Sequence, residues 1–596
     1  MEVVNPLAYA RGKHKVVQIF WTLGDIPKHH RSQVDKIQLA MVVKEKLIKK
    51  YGYRRIYKQL ISDLQKLENG IYVESPVPRL VKCGVLLHAG DNLESHAVGG
   101  FSLSFSSRSI CRFCHIQHSD LVNRIHDLIE VPHKYWTEAE YDQICDSIEA
   151  QMETEDEASE VIFDKNLEDH LFDEEDEPEG EPDDEEIDDV GQEHGDESLV
   201  HENDVEMEIE ERFGLRYRCS FNELKSFHAV ISFPPDLLHD LLEGVVAQDL
   251  CGFIKIMTLK GLFTLEQYNE TLKEHHFRSY EINDKPQPIV NNKAQKLPGK
   301  AVSIWLNMRS FGMIVNSMPN PIDENDEVFT ISMKLAEITE RLTATEFREY
   351  EIELLEEKIH DYLEERAELY KKYPNFLGTP KPKHHFLTHY GESIRKFGPP
   401  LAYWTGRFES KHRVAKGAAE AAKNFKNISL TLSVRQQHRM ASKYYNGMFE
   451  TESFRLPSDV TLKEALPKDT GDGEAVLFQK LGSFMTRNDA ICKEVTINSQ
   501  KYKNGDIVVL KAEDDVSLVV GVIKTILVKP GKVFFVSRRY KAERNVFNFF
   551  VSKTCSSDLV FVNPMKQLSD FKPLVKYGTD KKFKFYLHHH ISYDHE

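Results

Sequence analysis

Residues Leu80–His96, LVKCGVLLHAGDNLESH, carry the reading on which the fold turns. Leu80–His88 is largely apolar and ends in Ala89-Gly90-Asp91, so it reads as a buried strand closed by a turn. Upstream, the β-branched run Val16–Leu23 predicts a second strand. Between them, Arg31–Tyr51 places Val34, Ile37, Met41 and Ile48 at helical spacing, and a further helix is expected over Arg54–Leu67. Strands interleaved with helices indicate a layered α/β sheet rather than a bundle.

Downstream the composition changes abruptly. Gln151–Glu210 holds 29 Asp or Glu against one Lys, and FDEEDEPEGEPDDEEIDDVG within it is too poor in apolar surface to offset chain entropy. This segment is expected to be disordered. It carries -28 of the formal net charge of -18, so the remaining chain is basic at +10 and its overall acidity does not exclude nucleic acid. Order is expected again from Phe213. Phe233–Ile256 reads as a helix with Pro234 and Pro235 at its start, and Asp326–Lys372 as two long charged helices. After the turn-rich YPNFLGTPKPKHH, helix resumes from Phe386 to Tyr445. From Tyr502 onward short β runs (Ile507–Leu510, Val516–Leu527, Lys532–Ser537, Val546–Val551) predict a small separate β-barrel or sandwich.

At 596 residues the chain exceeds one compact core, and two or three domains are expected. It has no apolar run of 18 residues, so no spanning helix is expected, and MEVVNPLAYARGKHK lacks the apolar centre of a secretory signal. Eight cysteines are too few for a disulfide scaffold, which points to a reducing compartment, cytosolic or nuclear. Neither phosphate-cradling glycine pattern occurs, and no Ser/His/Asp elbow stands out.

Four places could carry chemistry. Asp91 follows the apolar strand, where a carboxylate serves as a metal ligand or simply as a helix cap. Cys111 and Cys114 form a C-x2-C pair, which reads as half of a zinc site or as two buried thiols. His115 and His118 could complete such a site locally, and so could His384 and His389 of HHFLTHY. Glu409 opens a helix bearing Arg407, Lys411, His412, Arg413, Lys416, Lys423 and Lys426, which lines a phosphate backbone or forms a solvated face. Finally, PPDLLHDLLEG (Pro234–Gly244) puts Asp236, Asp240 and Glu243 on one helical face with His239 nearby, as a cation site or as an acidic first turn.

MEVVNPLAYARGKHK, SQVDKIQLAMVVK, GDNLESHAVGGF, CRFCHIQH, FPPDLLHDLLEGV, LPGKAVSIWLNMRSF and KHHFLTHYGESIRKFGPPLAYWTGRFESKHRVAK, taken together and in this order, resemble the CACTA (EnSpm)-type DNA transposases over roughly residues 1–450. That family is similar in turn to the recombinase that assembles antigen-receptor genes. There a C-x2-C pair follows the second acid of an RNase H-like core and an H-x4-H pair precedes the third. Here Cys111 stands 20 residues after Asp91, and Glu409 stands 20 after His389.

The resemblance implies an RNase H-like α/β core interrupted by a long, mostly helical insertion, followed by the small all-β domain. The core would start at 1–110, with 111–150 as the zinc-linked start of the insertion, 151–212 the acidic segment and 213–380 the helical insertion. Residues 381–450 would end the core, 451–500 form a linker and 501–596 the β domain. It further implies Asp91 and Glu409 as catalytic acids holding Mg²⁺ or Mn²⁺, and Cys111, Cys114, His384 and His389 as structural zinc ligands. Arg407, Lys411, Arg413 and Lys416 would contact DNA. The chemistry expected is two-metal cleavage and transfer of DNA strands, in the nucleus, by a homo-oligomer acting on transposon ends and target. In the family the first acid comes just before the segment matching Glu2–Leu7, so the chain as written is expected to lack it and to be inactive. The alternative expectation is a non-enzymatic adaptor or chromatin-associated protein built on the same zinc-tied fold.

Overall fold

The computed structural model describes residues 2–156 apart from 10–13, 27–32, 75–76, 104–108 and 124–133. It then describes 214–593 apart from 278–280, 291–292, 423–426, 447–453, 456–462, 465–489, 499, 570–572 and 580–581. Most of the acidic segment therefore lies outside the described residues; its first residues continue the helix Glu138–Asp156.

Three antiparallel strands open the fold: β1 (Glu2–Tyr9), β2 (His14–Trp21) and β3 (Gln38–Lys44). Strand β2 pairs on both edges, with Val17 opposite Val43 and Ile19 opposite Met41. Val16–Phe20 is apolar except for Gln18, and both of its faces are covered. Val17 and Ile19 pack on Ile48, Tyr57 and Ile61 of the helix α1 (Glu45–Asn69). Val16 faces the other way, onto Ala419, Ile428 and Leu432, and Phe20 onto Phe408. The latter residues belong to helices Gly406–Ala422 and Ile428–Tyr445, which thus complete a helix–sheet–helix stack. The helix expected over Arg31–Tyr51 is instead β3 followed by the start of α1, because alternate residues of Gln38–Lys44 pair with a buried strand rather than repeat along one helical face.

The decisive stretch behaves differently from its expectation. Only Arg79–Val81 is a strand, paired with Ile71–Val73 at the surface, and 82–88 joins no sheet. Its amides are satisfied by an irregular segment instead: Val85 N donates to Ser226 Oγ (2.9 Å) and His88 N to the Ser232 carbonyl (2.8 Å). Gly84 permits that approach, since a Cβ there would lie 2.8 Å from Ser226. Apolar composition did not fix pairing here: Val85 and His88 are buried, Leu86 is 65% exposed, and the amides bond outside any sheet.

The helical body is built around Leu237–Leu259, whose residues share one apolar core with Ala301–Asn316, Glu327–Leu342 and Glu349–Lys372. Leu237–Val246 is π-helical and only Ala247–Leu259 is α-helical, so the expected single helix changes pitch midway.

The C-terminal residues form a curled antiparallel sheet in which Ser517–Lys529 pairs with Lys532–Arg544 and the latter with Phe550–Val562. One edge of Ser517–Lys529 is shared end to end by Ile507–Ala512 and Ala490–Cys492. Ala490–Cys492 and Lys463–Glu464 fell within the expected linker, so that stretch supplies strands to the sheet. Nor is the sheet separate. Arg544 reaches Glu340 (2.6 Å), Arg341 reaches Asp515 (2.8 Å) and His590 reaches Glu351 (3.0 Å) on the helical body.

Candidate metal centre and its polar neighbour

Cys111-Arg112-Phe113-Cys114 forms a tight turn in which Phe113 N donates to Cys111 Sγ (3.4 Å). Trp136 Nε1 donates to the Cys111 carbonyl (3.3 Å) and fixes the turn from outside. Opposite it, the chain runs helically from Pro382 through Leu387–His389 into Tyr390–Phe397. His385 and His389, four residues apart, share the face that meets the cysteines. Cys114 Sγ lies 3.2 Å from His385 Nε2, Cys111 Sγ lies 3.5 Å from His389 Nε2, and the two Nε2 atoms are 2.9 Å apart. All four side chains are buried, and their ligand atoms fall within 4.8 Å of one another. Tetrahedral zinc with sulfur at about 2.3 Å and nitrogen at about 2.0 Å needs ligand separations of roughly 3.3–3.8 Å; the observed ones, from 2.9 Å to no more than 4.8 Å, bracket that range, so small side-chain shifts would close the set on an ion. Burial alone would push the Cys111 thiol up, but the Cys114 hydrogen bond and both imidazoles hold it well below its usual range, while Cys114 is pushed up. One thiolate is thus already favoured, as metal binding requires. This buried Cys2His2 cluster could bind a metal ion such as zinc.

His384, expected as a ligand, is not in the cluster. One residue earlier on the same turn it points the other way, with Nε2 3.1 Å from Asp249 Oδ2. Asp249 also receives Arg366 Nε (2.7 Å) and Nη2 (2.8 Å), all fully buried. The H-x3-H spacing of His385 and His389 was present in HHFLTH and is the helical one; His384 is five residues from His389 and off that face. His115 is elsewhere too, against Glu140 (3.2 Å).

From the metal cluster a polar chain runs to Glu409. Arg112 is wholly buried, donating Nη1 to Asn92 Oδ1 (2.7 Å) and Nη2 to the Pro234 carbonyl (2.9 Å). Asn92 donates in turn to Asp240 Oδ1. Asp240 Oδ2 accepts from Asp236 N (2.9 Å), and Asp236 accepts from Thr405 N (3.0 Å) and Oγ1 (2.7 Å). His239 closes the chain, with Nδ1 2.6 Å from Asp236 Oδ2 and Nε2 3.1 Å from Glu409 Oε1. Burial would lower this imidazole, but the two flanking carboxylates raise it to about 11, so it is an imidazolium. Asp91, next to Asn92, caps the helix Asn92–Gly99 by accepting from Glu94 N (2.8 Å). That helix and Gly406–Ala422 both pack against strand β1. Asn92, the residue after Asp91, leads through Asp240, Asp236 and His239 to Glu409, and Arg112 joins this chain to the cysteine turn. Asp236 and His239 were visible in the sequence as an acidic helix face; Asn92 and Arg112 carried no pattern.

Glu243 leaves the shared face expected of it and accepts instead from Ala301 N (3.3 Å), a result of the wider π-helical turn. Among the expected DNA contacts, Arg407, Arg413 and Lys416 are exposed, whereas Lys411 is buried. Its Nζ donates to the Val34 carbonyl (2.9 Å), and burial brings its pKa down to about 8, so it is not a surface contact.

A scan of protein-family models and a search of curated proteins each return no match for this chain. No helix among the described residues is long and apolar enough to cross a membrane.

Proposed function

We propose that this chain is a transposase-derived DNA-binding protein of the CACTA (EnSpm) type, acting in the nucleus on an RNase H-like core braced by structural zinc. The observation that carries the reading is the polar chain from Asn92 to Glu409, because it ties the segment after Asp91 to the helix of Glu409 beside one strand. Cys111, Cys114, His385 and His389 would hold the zinc and clamp the two ends of the helical insertion onto that core. Asp91 and Glu409 would hold Mg²⁺ or Mn²⁺, whose chemistry in such cores is to activate the attacking oxygen and stabilise the leaving one. The chain's own contribution is positional. Thr405 and Asp236 fix His239, and His239 fixes Glu409. The same His239–Glu409 pair favours a second reading, an adaptor that binds DNA without cutting it, since the carboxylate already has a cationic partner.

The test is duplex-DNA binding by the purified full chain over a range of salt, followed by incubation of the complex with Mn²⁺. Binding that weakens steeply with salt is expected. Mn²⁺-dependent nicking abolished by Glu409→Gln would assign the enzyme, and binding without nicking the adaptor. Absence of DNA binding at low salt would overturn both.

A further inference from the structure

Beside the sheet, on the face away from α1, lies a groove of about 380 Å³ between helices Gly406–Ala422 and Ile428–Tyr445. That is an order of magnitude above the roughly 30 Å³ a water occupies in the liquid. Gln18, Phe20 and Leu39 form its floor; Arg413, Arg435, Gln436 and Arg439 stand in its walls, with the buried Lys411 at one end. No carboxylate lines it. Arg439 lies 3.6 Å from Asp35, which also pairs with Lys443, so part of that charge is compensated at the rim. Among the described residues no carboxylate pairs with Arg413 or Arg435, and Arg435 Nη1 is steadied by the Ala418 carbonyl (3.0 Å). The groove is therefore a local excess of positive charge backed by a low-dielectric wall, which concentrates anions.

A second observation points to an occupant. Gln18 is only 2% exposed in the middle of an apolar strand, and its Oε1 has no hydrogen-bond partner. Gln436 Nε2 is likewise a buried donor without a partner. A buried unsatisfied amide costs about 1–3 kcal/mol, so two of them lining one cationic groove suggest a ligand that satisfies them. Gln436 offers a donor, and the Gln18 amide turned about its last torsion offers another, which suits oxygens that only accept.

We propose that this groove is a phosphodiester clamp, gripping one strand of duplex DNA through Gln18, Arg413, Arg435, Gln436 and Arg439. The proposal rests on the DNA-binding reading above and names contacts that reading lacks. Arg413 is four residues from Glu409, one helical turn and about 6 Å along the same face, so a strand seated in the groove leads toward that carboxylate. The second helix, Ile428–Tyr445, thereby becomes half of the DNA-binding surface.

The experiment compares duplex binding by the full chain, an Arg413→Ala/Arg435→Ala double variant, Gln18→Leu, and Lys371→Ala as a surface-charge control on the helical body. Both arginines are exposed and pair with no acid, so their removal should leave the melting temperature unchanged. The expected result is at least a tenfold loss of affinity in the double variant, with the slope of log K against log salt reduced by about 1–2. Gln18→Leu should be at least as stable as the parent yet bind several-fold more weakly, which a purely structural glutamine would not do. Lys371→Ala should match the parent. If the parent binds DNA and both groove variants bind equally well, the clamp is wrong while the DNA-binding reading stands. If the parent binds no DNA, both fall.

Discussion

At the scale of single residues, His384 and His385 are adjacent in sequence and opposite in task. His385→Ala removes one of four buried atoms that could ligate a metal and should abolish zinc uptake, whereas His384→Ala should leave uptake intact and lose stability by roughly 1–3 kcal/mol because Asp249 loses a buried partner. Zinc measured by atomic absorption on the two variants decides this; retention in His385→Ala would remove it from the ligand set. Glu94 offers a pH-dependent counterpart. Burial and the nearby Asp91 raise its pKa from 4.5 to about 8, and Tyr53 Oη donates to it (3.3 Å). A folded-state pKa above the unfolded one gives stability that is complete below pH 4.5 and is lost as pH rises through 8. Glu94→Gln should therefore match the parent near pH 4.5 and exceed it by on the order of 4–5 kcal/mol at pH 9, since each pH unit between the two pKa values is worth about 1.4 kcal/mol. Denaturant melts across that range measure it, and a gain that does not grow with pH would refute the assignment. Cysteine spacing made half of the metal cluster legible in sequence. The other half needed the recognition that a helix brings i and i+4 together, which the resemblance-derived H-x4-H spacing obscured.

At the scale of elements, PPDLLHDLLEG shows what periodicity reads and what it misses. Its apolar spacing located a buried helix correctly, but α-helical and π-helical ladders share that composition, and only the structure distinguishes them. The wider turn exposes the His239 carbonyl to Lys383 Nζ (2.7 Å), which crosses Gly244, where a Cβ would lie 2.6 Å from the Lys383 Cδ. π-Helical turns are rare and concentrate at functional sites. This one aims His239 at Glu409. His239→Ala should leave Asp236 buried with only its Thr405 and backbone partners and cost about 1–3 kcal/mol. Because the lost contact joins the π-helical turn to Gly406–Ala422, amide exchange should quicken in that helix while zinc content stays the same. Unchanged exchange there would mean that His239 does not position Glu409. The segment 82–88 failed as a strand for the complementary reason: its apolar composition names no pairing partner, and the Val85 amide bonds to a side-chain hydroxyl instead.

At the scale of the whole molecule, the composition of the C-terminal residues reported a β domain and was silent on where it sits. Docking depends on a few charged and aromatic groups, among them Arg544 on Glu340, Arg341 on Asp515 and Tyr577 Oη donating to the His276 carbonyl (2.9 Å), and none of these has a periodicity. Their geometry makes a sharp prediction at Gly312, a buried position in Ala301–Asn316. There the Phe547 carbonyl oxygen comes so close that an added Cβ would lie 1.8 Å from it, a separation that backbone cannot relieve by a side-chain rotation. Gly312→Ala must therefore push the Asn545–Phe549 turn off the helical body, although alanine suits the helix itself better than glycine. The parent should melt in one transition that includes both the helical body and the C-terminal sheet, because partly buried ion pairs and Phe547 packing couple them. The variant should show two transitions by calorimetry, the lower belonging to whichever unit depends more on the contact. A single unshifted transition in Gly312→Ala would show that the close approach of Phe547 to Gly312 is not what couples the two units.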